Sequence, residues 1–211
     1  MLKYFLPLFL LFATVDATSQ DSSSVKFRLF AGPELNFVTG GALSKGCLAG
    51  VNVGMELNKK LSSNVGFTTG LSYNYQSTDR WLTNNANFTN SKLYIHMLEI
   101  PLGLKFTSNT GAKNNAFFAK AEYINGFSIY SNMVNSKENT TDFSYTLQES
   151  TGVVSLYNPG AKVELGVQTT FNSPNSYTFS FSAKQMFLNA VGGSGPKLST
   201  LGLGLNMGYI F

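Results

Sequence analysis

The residues of this 211-residue chain whose types could do chemistry are one histidine, one cysteine and a set of acids and bases recurring at even spacings. His96 could serve as a general base, but such chemistry needs a nucleophile and a third, orienting group within hydrogen-bond reach. The nearest such groups in sequence are Ser91, which reads as loop, and Glu99, which alternation puts on the face opposite His96, Leu98 and Ile100. Ser77 and Asp79 beside Arg80 and Trp81 form a pair common in loops, with no spacing that marks a catalytic centre. One His and one Cys at remote positions make no metal-ligand set, and Cys47 has no intramolecular disulfide partner. The expectation is therefore no enzyme, no catalytic or metal residue and no cofactor.

The charges carry more information. Lys26, Arg28, Lys105, Lys120, Lys162 and Lys184, with Glu34, Glu56, Glu99, Glu122 and Glu164, sit on the faces opposite the apolar ones, six positives against five negatives. Period two is the signature of a strand with unlike faces. From Lys26 to Phe37 the apolar face is Phe27, Leu29, Ala31, Leu35 and Phe37; from Cys47 to Asn58 it is Ala49, Val51, Val53, Met55 and Leu57. Asn64 to Gln76 repeats the pattern with Val65, Phe67, Leu71, Tyr73 and Tyr75. Tyr94 to Phe106 switches parity, with Leu98, Ile100, Leu102, Leu104 and Phe106 opposite Glu99, Gly103 and Lys105. Ala116 to Tyr130, Gly160 to Phe171, Ser176 to Phe187 and Ser199 to Phe211 complete the set. In the last, Leu201, Leu203, Leu205, Met207, Tyr209 and Phe211 face away from Gly202, Gly204, Asn206, Gly208 and Ile210.

About eight such strands are the number in the smallest closed membrane barrel, so the expected fold is all-β, a transmembrane antiparallel up-and-down β-barrel. Composition agrees. Charged residues are 12% of the chain and aromatics 14%, with 20 glycines, and no stretch beyond the first residues approaches the roughly 20 apolar residues of a spanning helix. Lys3, the apolar run Tyr4 to Ala13 and the small residues Ala17 to Ser19 read as a secretory signal peptide, residues 1–19, which leaves residues 20–211 as one barrel domain. The formal net charge of +4 is spread too thinly to suggest nucleic acid. Leu205, Met207, Tyr209 and Phe211 at the very end have the form of a C-terminal insertion signal read by barrel-insertion machinery.

Connection lengths set an orientation. Lys59 to Ser63, Thr107 to Asn115 and Asn172 to Asn175 are short; Val38 to Gly46, Ser77 to Leu93, Ser131 to Pro159 and Leu188 to Leu198 are long and all fall on the other side. Short periplasmic turns and long external loops would place both termini in the periplasm of a bacterial outer membrane. Tyrosines near strand ends, including Tyr73, Tyr75, Tyr94, Tyr123, Tyr130, Tyr157, Tyr177 and Tyr209, with Trp81, fit interfacial girdles, and His96 reads as an interfacial histidine among lipid headgroups.

A charge facing lipid at mid-membrane costs about 2–4 kcal/mol, so alternation must turn Arg28, Glu34, Glu56, Glu99, Lys105, Lys120, Glu122, Lys162, Glu164 and Lys184 inward. An eight-stranded interior is only wide enough for its own side chains, and a set this balanced reads as a plug of ion pairs rather than a selective pore.

Leu98-Glu99-Ile100-Pro101-Leu102-Gly103-Leu104-Lys105, the glycine rhythm from Gly160 to Gly166 and the closing strand to Phe211 resemble the PorT-like outer-membrane β-barrel family. The resemblance implies fold and address, not a task. Pro101, lacking an N–H, should mark a bulge or break in the fourth strand. The expected function is a non-enzymatic structural or binding role through the external loops within an envelope assembly. Outer-membrane lipids surround it, and a protein or glycan ligand docks at the loops. The competing class is a small diffusion pore, and the third a lipid-active barrel enzyme.

Overall fold

The computed structural model describes residues 25–39, 47–81, 90–108, 114–138, 145–151, 154–170, 175–188 and 198–211. The expected signal peptide, residues 1–19, lies outside them. Among the described residues nine strands run in chain order: β1 Val25–Thr39, β2 Cys47–Lys60, β3 Val65–Trp81, β4 Asn90–Thr107, β5 Asn115–Glu138, β6 Tyr145–Thr151, β7 Tyr157–Thr170, β8 Ser176–Leu188 and β9 Leu198–Ile210. All pairings are antiparallel, and β1 pairs with both β2 and β9 while β4 pairs with β5, so eight strands close on themselves. The ninth, β6, hangs on the distal half of β5.

The faces are inverted relative to a water-soluble core. Outward residues such as Leu29, Met55, Val163, Leu165, Phe179 and Met207 are half exposed or more, while Arg28, Glu56, Glu99, Glu164 and Lys184 are at most 2% exposed. A soluble monomer rarely bares so continuous an apolar surface, and such a belt belongs in hydrocarbon. No helix of the described residues is long and apolar enough to cross a membrane; the strands make the crossing.

The first and last described residues, Val25 and Phe211, lie at one rim, with the β2–β3, β4–β5 and β7–β8 connections. The β2–β3 turn is tight because Leu61 N–H and Ser62 N–H both donate to the Val65 carbonyl at 2.9 Å, and the Ser62 hydroxyl accepts from Val65 N–H at 3.2 Å. Closure is made between the first and last strands: Phe27 and Phe211 exchange two backbone hydrogen bonds of 3.2 and 3.0 Å, and their rings stack with centroids 6.1 Å apart.

Two prolines interrupt ladders without shifting them. β3 and β4 pair up to Thr69 with Leu102 and resume in the same register at Ser72 with Glu99, so Pro101 makes a break rather than a bulge. The neighbouring Ile100 carbonyl is instead taken by the Asn125 side-chain amide at 3.3 Å. The β1–β9 seam is likewise interrupted at Gly32 and Pro33, where Gly32 presses so closely on the Leu205 carbonyl that a Cβ there would collide with it. The true irregularity of β5 lies at Ile129, which is skipped between the pairs His96 with Tyr130 and Met97 with Ser128. One extra residue flips parity: even residues of β5 face inward up to Ser128, and Ser131 faces inward beyond it.

The segment from Ser131 to Pro159, expected as an external loop, is largely strand. β5 continues to Glu138 and returns as β6, pairing Asn132 with Thr151 through Glu138 with Tyr145. The expected loop from Ser77 to Leu93 is shortened in the same way, since β3 reaches Trp81 and β4 starts at Asn90. The sequence of this ribbon, with Asn132, Asn135, Ser136, Lys137 and Glu138 close together, carries no period-two hydropathy signal.

Candidate functional site

The interior is the part of the molecule where chemistry-bearing side chains gather, and it is layered. Nearest the rim that holds the termini, Phe30, Phe118 and Ile210 point inward. The Arg28 guanidinium lies over the Phe30 ring at 5.2 Å and the Phe118 ring at 5.8 Å, and the Lys162 ammonium lies over Phe30 at 5.6 Å. Aromatic faces carry negative charge density and suit cations taken from water.

Beside them Arg28, Lys120 and Lys162 meet Glu56, Glu122 and Glu164. Glu164 is the hub: it lies 2.8 Å from Arg28, 2.8 Å from Lys120 and 3.4 Å from Lys162, and accepts from the Ser180 hydroxyl at 2.6 Å. Glu56 pairs with Lys120 and, at 3.5 Å, with Arg28, while Glu122 is 3.0 Å from Lys162 and 3.6 Å from Lys120. The cross-strand register makes this geometry. Lys120 sits opposite Glu164 and Glu122 opposite Lys162 on β5 and β7, and Arg28 opposite Glu56 on β1 and β2.

One layer further along, Lys184 is shared by Glu34 at 2.9 Å and Glu99 at 2.7 Å. Glu34 also accepts from the Asn74 amide at 3.0 Å, and Asn74 in turn from the Gln76 amide at 2.7 Å. Room for these long side chains comes from the β9 wall. A Cβ on Gly202 would stand 2.5 Å from Asn36 Oδ1 and 2.7 Å from Glu34 Oε1. The two groups differ in balance: three cations against three carboxylates in the first, one against two in the second. Lys105 stands apart from both, donating to Gln168 at 3.2 Å and lying 4.7 Å over Phe118.

Sequence reasoning missed the layer at the far end. Leu48, Leu93, Ile95, Met97, Ile124, Met186 and Leu188 point into the barrel and form one buried cluster. Val154, from the segment after β6, joins it, held by its N–H donating to the Ser131 hydroxyl at 3.1 Å. Where the lumen itself is apolar, both strand faces are apolar and alternation fades. The available signal was Ile95 and Met97, apolar residues at the positions that continue the Glu99 and Lys105 face of the strand.

No family model matches the chain, and no curated protein matches it. Among solved structures it is similar to Ail, the attachment invasion locus protein of Yersinia pestis, at 12% identity over 89% of this chain and 99% of that one, with a TM-score of 0.44. Neisserial surface protein A is similar at 11% identity, over 87% and 95% of the two chains and with a TM-score of 0.45. For the outer membrane protein OprG from Pseudomonas aeruginosa the figures are 11%, 90%, 97% and 0.43. No role passes from them to this chain.

On the outer wall, His96 takes a hydrogen bond with the Tyr73 hydroxyl and packs against the Tyr75 and Tyr130 rings, with centroids 4.9 and 5.4 Å away. Among the described residues no carboxylate or serine hydroxyl is hydrogen-bonded to it. The side chains of Asp79, Arg80, Trp81 and Ser91 lie outside the described residues. Tyr123 and Tyr157 join hydroxyls at 2.9 Å, and at the rim of the termini Tyr177, Tyr209 and Phe211 form a second aromatic group, with centroids 5.1 and 6.0 Å apart. Among the described residues no group of His, Cys, Asp and Glu could hold a metal ion.

Proposed function

We propose that this chain is a non-enzymatic bacterial outer-membrane barrel with a sealed lumen, inserted with both termini in the periplasm, that works through the structure at its far end. The observation that carries the reading is the filled interior: an ion-paired layer followed by an apolar layer, both buried, across the whole bore. A conducting path needs a continuous hydrated lining, and here water-inaccessible groups succeed one another along the axis.

The part assigned to recognition is the distal sheet of β3, β4, β5 and β6. Among the described residues β6 pairs on one side alone, so its outer edge offers backbone donors and acceptors to a protein or glycan ligand. Short connections at the termini and long ones opposite support the orientation, and Leu205, Met207, Tyr209 and Phe211 support recognition by the insertion machinery. The LEIPLGLKF segment and the closing strand support a place near the PorT-like barrels.

The test is a pull-down from intact envelopes with the native chain and with a variant whose ribbon residues 136–147 are replaced by a two-residue turn joining the paired Asn135 and Gln148. Capture of a specific partner by the native chain and its loss in the shortened variant is the expected result. Equal capture by both would contradict a role for the ribbon.

A further inference from the structure

The rim that holds the termini contains a second site, unlike the paired interior. A cavity of about 200 Å³ opens there between the β2–β3 turn and the ends of β1, β4 and β7, and Lys26, Lys59, Lys60 and Lys105 all line it. Its remaining polar lining is neutral, including Asn58 and Gln168, and no acid contributes. Elsewhere in this barrel every inward cation meets a carboxylate; here Lys26, Lys60 and Lys105 have none within ion-pair distance among the described residues. The Asn58 side-chain amide is buried at the same place with neither its nitrogen nor its oxygen hydrogen-bonded.

Lysines at a membrane rim commonly reach sideways to lipid headgroups. Lys105 cannot, because it is 8% exposed and points into the bore. Like charges gathered in a concave, low-dielectric mouth repel one another and focus a positive potential, and an anion relieves both. The cavity is smaller than the roughly 300–1,000 Å³ of drug-sized ligand sites, which limits the occupant to one or two phosphate-sized groups.

We propose that this mouth is a binding site for a phosphate oxyanion, with Lys105 at its floor, Lys26, Lys59 and Lys60 around its rim and Asn58 donating from the side. The phosphate comes either from a small soluble anion or from the headgroup of an anionic phospholipid in the adjacent leaflet.

The test is calorimetric titration of the folded full-length barrel, in a nonionic detergent at low salt, with inorganic phosphate and with pyrophosphate. Saturable binding of one pyrophosphate per barrel, tighter than phosphate, is expected. Lys105→Gln and the double substitution Lys26→Gln with Lys60→Gln should each weaken it tenfold or more, while Lys92→Gln on β4 at the far end leaves it unchanged. The double variant touches rim residues, so it keeps the test decisive if Lys105→Gln fails to fold. Repeating the titration in lipid nanodiscs separates the sources: phosphatidylglycerol that blocks pyrophosphate assigns the site to a headgroup, and undiminished binding assigns it to a soluble anion. Absence of saturable binding by either anion, or equal binding by wild type and the double variant, overturns the proposal.

Discussion

Glu164→Gln tests the interior where the geometry is most specific. The substitution keeps side-chain volume and one acceptor oxygen, so packing is preserved and charge alone is removed. Glu164 faces three cations, at 2.8, 2.8 and 3.4 Å, and with it gone Arg28, Lys120 and Lys162 share Glu56 and Glu122. One positive charge is then left without its counter-charge in a site that is 1% exposed. Breaking a buried pair from one side typically costs about 3–5 kcal/mol, far above the 0–1 kcal/mol of an exposed pair. Glu34→Gln provides the internal contrast, because Lys184 keeps Glu99 at 2.7 Å and the local balance moves from one against two to one against one. Its cost should be about 1 kcal/mol or less, the range of an ordinary lost hydrogen bond. Urea titration of each protein in lipid vesicles, read by the mobility difference between folded and heated samples on gels, gives both values. Equal destabilisation by the two substitutions, or less than about 1 kcal/mol for Glu164→Gln, would refute the reasoning from charge balance.

Deleting Phe211 removes the two backbone hydrogen bonds and the ring stack with Phe27, and should lower the folded protein recovered from the outer membrane; unchanged abundance and gel mobility would count against it. Val163→Arg, at a position half exposed on the outer wall, should destabilise the barrel by about 2–4 kcal/mol in the same titration. Cysteines placed at Val163 and Leu203 should be quenched from the lipid phase and spared by a water-soluble reagent, and the reverse would exchange the two faces. Gly32→Ala drives a methyl into the Leu205 carbonyl at the β1–β9 seam and should slow or abolish closure, seen as loss of the folded band.

How far the fold could be read from the chain depended on contrast between strand faces. Where β1 sets Leu29 and Leu35 against Arg28 and Glu34, period two identifies the strand and its inner side. The pattern says nothing of which acid each lysine shares, because that depends on barrel tilt. It took the assembled cylinder to bring Lys184 of β8 to Glu99 of β4. The contrast disappears in two places for opposite reasons. Ile95 and Met97 face an apolar lumen while their neighbours face outward, and the β5–β6 ribbon is rich in Asn, Ser, Thr and Glu with no alternation. Ile129 adds a third difficulty, since one skipped residue reverses the inner side without any change in composition. The basic mouth was invisible as a site because Lys26, Asn58, Lys60 and Lys105 come from three strands and converge through pairing alone.

The most direct test of a sealed barrel is single-channel recording on the purified, refolded protein in planar bilayers. A bore filled by paired charges and an apolar layer predicts no steady conductance from the native chain. Reproducible conductance steps whose ion selectivity shifts in Glu164→Gln would show a water path lined by that carboxylate and contradict the account.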